Sequence, residues 1–466
     1  MEELNHEFET DVTEQSVPVA AGPLKVVVVS GTTPADAPTT PNDTPARHPR
    51  FDYWIITTSH ALVDVFPMFI TSLMIVLQAR LALTGWQETV VWVATPVFSG
   101  LFQPLFAWLG DRYDTRLAGP AGLAVAAVCI GSIGFAQSFG QLIALQIVGV
   151  IGVGMYHPAA AAVAGQAGAR LRHGRAFAIS VFIAAGMVGH TLGPIAATRV
   201  NEWVGMTYLA WIIPPSLAVA VLLHFVLRHA PHRPPNHHEM RATLSSTEAR
   251  ARWTVAILLS AQNALRFIVN IGLFILFSYW AYSMIPDDPD AAAVLNGNLN
   301  AAMTIGMGVG GLLGGWLLRP GAEKPGFVVT AFAGAICVGT INIAGEWGMA
   351  HFTGGFAMLP AYLMAMLAAV GFFGTVPASI GLGQRLLPSH AALVTSLLMG
   401  VGWMIGALSR PFSSALLGGI SLDQAHTLTS ATLNRAFLGF AILLALAGLL
   451  ALLMPGRPLR DVARHA

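Results

Sequence analysis

Thr57-Thr58-Ser59-His60-Ala61-Leu62-Val63-Asp64-Val65-Phe66-Pro67 lies inside the first long apolar run of the chain. A carboxylate is out of place there. From Arg50 to Asp64 the rise of a helix covers about 20 Å, deep into a hydrocarbon core about 30 Å thick. An acid at that depth costs about 2.5 kcal/mol or more to insert, so its presence points to a task. His60 stands one turn earlier on the same helix face, and Thr57 and Thr71 extend the polar stripe. Asp64 is the one acidic residue that the pattern places mid-membrane.

The surrounding composition agrees with a membrane setting. Of 466 residues, 55% are hydrophobic and 10% charged, against roughly 25% charged in a soluble protein. Mean hydropathy is +0.65. The expectation is an all-α polytopic membrane protein whose main partner is the lipid bilayer. A net charge of +1 without a basic block gives no reason to expect a nucleic-acid partner. Cys129 and Cys337 fall in apolar runs and read as buried thiols. The acidic, polar N-terminus does not read as a secretory signal. No His-Glu-x-x-His run or nucleophile constellation points to an enzyme. His229, His232, His237 and His238 lack ordered ligand spacing, so neither a metal nor a cofactor is expected.

Outward from the first run, the chain divides readily. Residues 1–50 read as a disordered tail, rich in Pro, Thr, Asp and Glu. Twelve spans are predicted at 53–79, 88–110, 117–138, 141–166, 175–198, 206–228, 253–283, 293–318, 326–346, 354–383, 390–419 and 431–454. They form two six-helix bundles, 51–228 and 253–455, joined by a linker at 229–252 and followed by a tail at 456–466. The basic residues set the orientation. With the N-terminus inside, the outer loops carry only Arg80, Arg199 and Arg435, while Arg112, Arg116, Arg170, Arg172, Arg228, Arg252, Arg319, Lys324, Arg385 and others fall inside. Both termini are therefore expected in the cytoplasm.

The halves repeat one another. At one register Trp108 meets Trp316 and Cys129 meets Cys337; at another, Gly189 to Pro194 meets Gly406 to Pro411. Duplicated six-helix halves are a transporter architecture, with the substrate site between them near the midplane.

These residues resemble the major facilitator superfamily. Ala107-Trp108-Leu109-Gly110-Asp111-Arg112-Tyr113-Asp114-Thr115-Arg116 looks like the family's G-x-L-a-D-R-x-G-R-R signature. The resemblance implies a conformational latch made by Asp111, Arg112 and Arg116. Gly189-His190-Thr191-Leu192-Gly193-Pro194 fits G-x-x-x-G-P, similar to the antiporter motif of drug exporters, with Gly189, Gly193 and Pro194 in its fixed positions. Ser59-His60-x-x-x-Asp64, together with Gly152-Val153-Gly154-Met155-Tyr156-His157-Pro158, resembles the fosmidomycin-resistance branch. Val63 and Ala159 depart from that branch, which tends to carry Asn and an acid there. The resemblance implies a monomeric, proton-coupled exporter of a small molecule in a bacterial inner membrane, with proton-coupled import of an organic anion or sugar acid as the alternative.

Candidate site residues follow. Asp64 reads as the proton-coupling acid or as one half of a static pair, and His60 as its proton partner or orienter. Arg266 is predicted at matching depth in the second half, with Asn263 and Asn270 on its face; it is the expected counter-charge to Asp64 or a substrate ligand. His157 and His190 are candidate substrate ligands, and Arg410 a binding cation or an outer gate. Phe66, Tyr156, Trp280 and Trp403 are candidates for an apolar cavity wall. One acid against these cations favours an anionic or amphipathic substrate.

Overall fold

The chain is seen here as a computed structural model that describes residues 49–110, 113, 117–169, 174–228 and 246–464. The expected tail through residue 48, the latch residues Asp111, Arg112 and Arg116, and the linker histidines lie outside the described residues.

Six long helices make the first half: α1 (Pro49–Leu81), α2 (Gly85–Gly110), α3 (Ala118–Gly131), α4 (Phe139–Ala169), α5 (Gly174–Val204) and α6 (Ile213–Leu227). A 3-10 turn extends α3 at Ile133–Phe135, and another, Met206–Ile212, leads into α6. The second half begins with α7 (Ser246–Met284), α8 (Pro289–Leu317) and α9 (Glu323–His351). Its tenth span is broken into α10 (Leu359–Phe373) and α11 (Val376–Leu386) at Gly374 and Thr375. The eleventh is broken further, into α12 (Ala391–Ser396), a π-helical turn at Leu397–Val401, α13 (Gly402–Gly406) and α14 (Ser409–Leu416). The twelfth is α15 (Ser430–Leu452).

Eleven of these segments are long and apolar enough to cross a membrane. The remaining one, α8, has 29 residues but carries Asn296, Asn298 and Asn300. Asn296 and Asn300 are fully buried against other helices, so the polarity is internal. The outward faces are apolar: Trp203, Trp211, Trp316, Val329, Ile336 and Phe356 are widely exposed, as suits lipid rather than water.

Burial separates central from peripheral helices. The apolar window of α7 is 94% buried and that of α1 78%, whereas α2 and α6 reach only 28%. The first helix of each half is thus the axis on which the others pack. Helix ends are set locally. The Asp288 carboxylate caps α8 by accepting from the Asp290 and Ala291 amides, with Pro289 at the first helical position. Thr429 Oγ1 accepts from the Thr432 amide to start α15.

Two features differ from the sequence reading. The segment expected as a tail forms a short helix, α16 (Gly456–Arg464), whose Pro458, Leu459 and Val462 are buried against the bundle while its arginines face away. An apolar residue every three or four positions suffices to dock so short a piece. Phe66, Tyr156 and Trp280 are buried in helix packing and not on a cavity wall; Trp403 is half-buried against Phe267. Both cysteines are free thiols.

Candidate functional site: a carboxylate among three histidines

Asp64 projects from the middle of α1, one turn before Pro67. Three imidazoles surround it. His60 Nε2 lies 3.3 Å from Oδ2, His157 Nε2 3.1 Å from Oδ1, and His190 Nδ1 3.4 Å from Oδ2. His60 shares α1 with the acid, His157 comes from α4 and His190 from α5. The Asp64 side chain is 4% exposed, His190 13% and His157 25%, so the cluster opens past His157.

The outer ring nitrogens are tied to backbone. His60 Nδ1 is 2.6 Å from the Phe182 carbonyl and His157 Nδ1 2.8 Å from the Val153 carbonyl. A carbonyl oxygen only accepts, so each Nδ1 carries the hydrogen. In a neutral ring the Nε2 facing Asp64 is then a bare lone pair. Two such lone pairs against an ionised carboxylate repel it. Each contact therefore requires a cation between the atoms, whether a proton on one of them or something larger. Phe182 also stacks on His60, with ring centroids 3.9 Å apart, and Tyr156 holds Ser59 through a 2.7 Å hydroxyl contact. The ring planes are set by packing before any ligand arrives.

Small residues on α5 make room for the cluster. A Cβ on Gly186 would overlap Asp64 Oδ2 and come within 2.6 Å of His60 Cε1. On Gly189 it would overlap the Ala61 carbonyl, and on Gly193 it would lie 2.7 Å from the Val65 carbonyl. Gly186, Gly189 and Gly193 thus form the face on which α1 lies. Gly186 is missing from the sequence reading, because it precedes the recognisable G-x-x-x-G-P run. Gly189→Ala is expected to force α1 and α5 apart and destabilise the protein by about 1–3 kcal/mol. Thermal unfolding in detergent would read this as a lowered midpoint, and an unchanged midpoint would contradict it.

Arg266 does not meet Asp64. Its Nε donates to Gln262 Oε1 at 2.7 Å, one terminal nitrogen to the Gly371 carbonyl at 2.7 Å, and the other to the Phe327 carbonyl at 2.7 Å. The side chain is fully enclosed among α7, α9 and α10. The expected counter-charge across the cavity is therefore corrected. Backbone carbonyls beside the break in the tenth span, at Gly371, lie closer and satisfy the guanidinium within its own half. Arg266→Ala is expected to remove these hydrogen bonds, leave the Gln262 side-chain carbonyl oxygen without its partner and open a cavity among α7, α9 and α10, destabilising the fold by about 2–4 kcal/mol. Anionic and neutral substrates should suffer alike; a loss confined to anionic compounds would restore a ligand role. Asn263 and Asn270 are equally enclosed: Asn263 Nδ2 faces the Leu398 carbonyl at 3.3 Å, and Asn270 Nδ2 faces Met307 Sδ.

Arg410 has a partner that the sequence reading missed. Its NH2 lies 3.0 Å from Glu88 Oε1, in the first turn of α2, with both side chains buried. Tyr279 donates to the same oxygen at 2.7 Å and accepts from Arg410 NH1 at 3.0 Å. The Leu422 amide donates to Glu88 Oε2 at 2.9 Å. Glu88 belongs to the first half and these three partners to the second. Nearby, Asn201 donates to Asp290 and Asn296 to the Ser72 carbonyl, again across the halves. All lie toward the end of the bundle opposite the one where α1 begins. Glu88 sits where the sequence pattern shows only the polar start of a span, so nothing local marks it as buried.

Residues 53–411 match the Major Facilitator Superfamily. The chain belongs to that superfamily of membrane transporters. Within the superfamily it is 25% identical over 367 residues to the fosmidomycin resistance protein of Escherichia coli (strain K12), covering 78% of this chain and 84% of that protein. It is 24% identical over 177 residues to YfnC, an uncharacterised MFS-type transporter of Bacillus subtilis (strain 168), covering 38% and 42%. The fold is similar to a crystal structure of a bacterial homologue of the human lysosomal transporter Spinster in an inward-facing, unoccupied conformation. The TM-score is 0.64 at 16% identity, covering 89% of this chain and 98% of that one. A mutant of the peptide transporter POT bound to sulfate aligns with TM-score 0.66 at 14% identity, covering 88% and 95%.

Proposed function

We propose that this transporter is a proton-coupled antiporter that exports a small anionic or amphipathic compound of the fosmidomycin type. It would act as a monomer in a bacterial plasma membrane with both termini cytoplasmic. The observation that carries the reading is the environment of Asp64. The acid is buried mid-span, its recorded partners are three histidines, and Arg266 is turned away from it. Imidazoles take up and release protons near neutral pH, which a fixed guanidinium does not. A carboxylate held this way can change its proton load as access alternates. In this arrangement His157 and His190, the more exposed members, are the first groups an anionic substrate meets, and they join the coupling set with His60. The two six-helix halves rock about the site, with the Glu88–Arg410 contact closing one end. The 25% identity to the fosmidomycin resistance protein supports export as the direction, as does the G-x-x-x-G-P run whose glycines seat α1 directly under Asp64.

The test is a susceptibility screen in an exporter-deficient bacterium, with anionic compounds including fosmidomycin beside lipophilic cations. Resistance to anionic compounds, with proton release from energised inverted vesicles when they are added, is the expected result. Accumulation of the anions in whole cells, with alkalinisation outside, would instead make the protein an importer.

A further inference from the structure

We propose that His60, His157 and Asp64 form a binding site for a divalent first-row transition-metal ion of the Zn2+ class. The Nδ1–H groups of His60 and His157 are occupied by the Phe182 and Val153 carbonyls, which turns both Nε2 lone pairs toward one carboxylate. This is the arrangement metal-bound histidines use: one ring nitrogen donates to a carbonyl, which sets the tautomer and frees the other to ligate. The three ligand atoms lie within 4.8 Å of one another. A four-coordinate ion with bonds of about 2.0–2.2 Å holds its ligands roughly 3.3 Å apart. His157 Nε2 lies 3.1 Å from Asp64 Oδ1 and His60 Nε2 3.3 Å from Oδ2, so each imidazole faces its own oxygen of the carboxylate and an ion between them draws one of the two oxygens in as the third ligand.

The surroundings complete the site. His190 Nδ1 stands 3.4 Å from Asp64 Oδ2 and 3.2 Å from the Gly186 carbonyl, a position from which its N–H steadies the carboxylate without ligating. Three protein ligands leave one position of a tetrahedron open, as in sites that exchange their fourth ligand. That position is reached past the partly exposed His157. Two neutral imidazoles and one carboxylate suit an intermediate metal with nitrogen and oxygen preference, not Mg2+ or Ca2+, which take oxygen ligands. The three residues come from positions 60, 64 and 157 on α1 and α4, a spacing that no sequence pattern for metal binding describes.

The inference rests on reading this cluster as the ion site of the transporter, and it adds an occupant that competes with protons for the same lone pairs. The experiment uses the full chain, purified in detergent without a histidine tag and titrated with Co2+ and, in competition, Zn2+. Visible d–d absorption of a tetrahedral Co2+ complex at one ion per chain, displaced by Zn2+, is expected. His60→Gln and His157→Gln, each checked for a monodisperse elution profile, should weaken binding by more than 100-fold, while His190→Gln should weaken it about 10–100-fold, as an outer-shell change does. Absent absorption, octahedral spectra, or binding unchanged in both His60→Gln and His157→Gln would overturn the site. Proton–drug exchange in vesicles containing EDTA is measured separately. Coupling that persists there while Co2+ fails to bind sinks the metal site alone; Co2+ binding without coupled exchange sinks the antiport reading alone.

Discussion

Asp64→Asn is expected to abolish drug-driven proton movement and export while the protein still reaches the membrane and elutes as a folded species. The amide keeps the size of the carboxylate and can donate to one bare Nε2 while its oxygen accepts from His190. The α1–α4–α5 packing around Phe182 and Tyr156 therefore has no reason to collapse. What disappears is the negative charge that draws cations into the contacts with His60 and His157. The measurement is fluorescence quenching of a pH probe in inverted vesicles, with drug added after energisation. The signal should fall to that of vesicles lacking the protein, and counterflow of substrate without a proton gradient should persist. Full proton-coupled transport by Asp64→Asn would remove Asp64 from the coupling role.

Glu88→Ala should produce the second large effect, on conformation more than on chemistry. Glu88 takes contacts from Tyr279, Arg410 and the Leu422 amide, all in the other half. Its removal leaves the Arg410 guanidinium enclosed without a counter-charge, a change that costs about 3–5 kcal/mol when one partner of a buried pair is deleted. The cost falls on the conformer that is closed at this end, so the population shifts toward the one that is open there. A cysteine placed by Ser72→Cys, at the buried seam where Asn296 meets the first half, reports this in a chain whose native cysteines are replaced by serine. Labelling by an impermeant maleimide should speed up at least tenfold in the Glu88→Ala background. Glu88→Leu combined with Arg410→Met should regain stability, since apolar replacement of a buried pair is often neutral or better, and its labelling should fall back toward the parent rate. Unchanged labelling in Glu88→Ala would show that the contact does not gate.

Much of this protein can be read without a structure. Long apolar runs, sparse charge and the asymmetry of basic residues are sufficient for a helical membrane bundle, since a backbone in lipid must satisfy its hydrogen bonds within each helix. The Trp and Cys pairs of the repeat and the charged and glycine motifs led to the superfamily, because those features are local in the chain. Asp64 was legible for the same reason: depth follows from helix rise alone, and an acid at that depth stands out.

The partners of each charge were not legible, because they are a property of distance between helices. Depth along a span placed Arg266 level with Asp64, but depth says nothing of which way a side chain turns about the helix axis. The carbonyls of Gly371 and Phe327 turned it inward. Nothing local in the sequence marks Glu88, at the polar start of a span, as buried; α7 and α14 enclose it. His157 and His190 stood out as mid-span imidazoles, but only the packing of α4 and α5 on α1, permitted by the bare backbone at Gly186 and Gly189, brought them to the same carboxylate as His60. Sequence alone determined that a buried acid sits in a twelve-helix transporter. Tertiary structure decided that it sits among imidazoles instead of against a guanidinium, because side-chain charges inside lipid pair with whatever the neighbouring helices bring within about 3 Å.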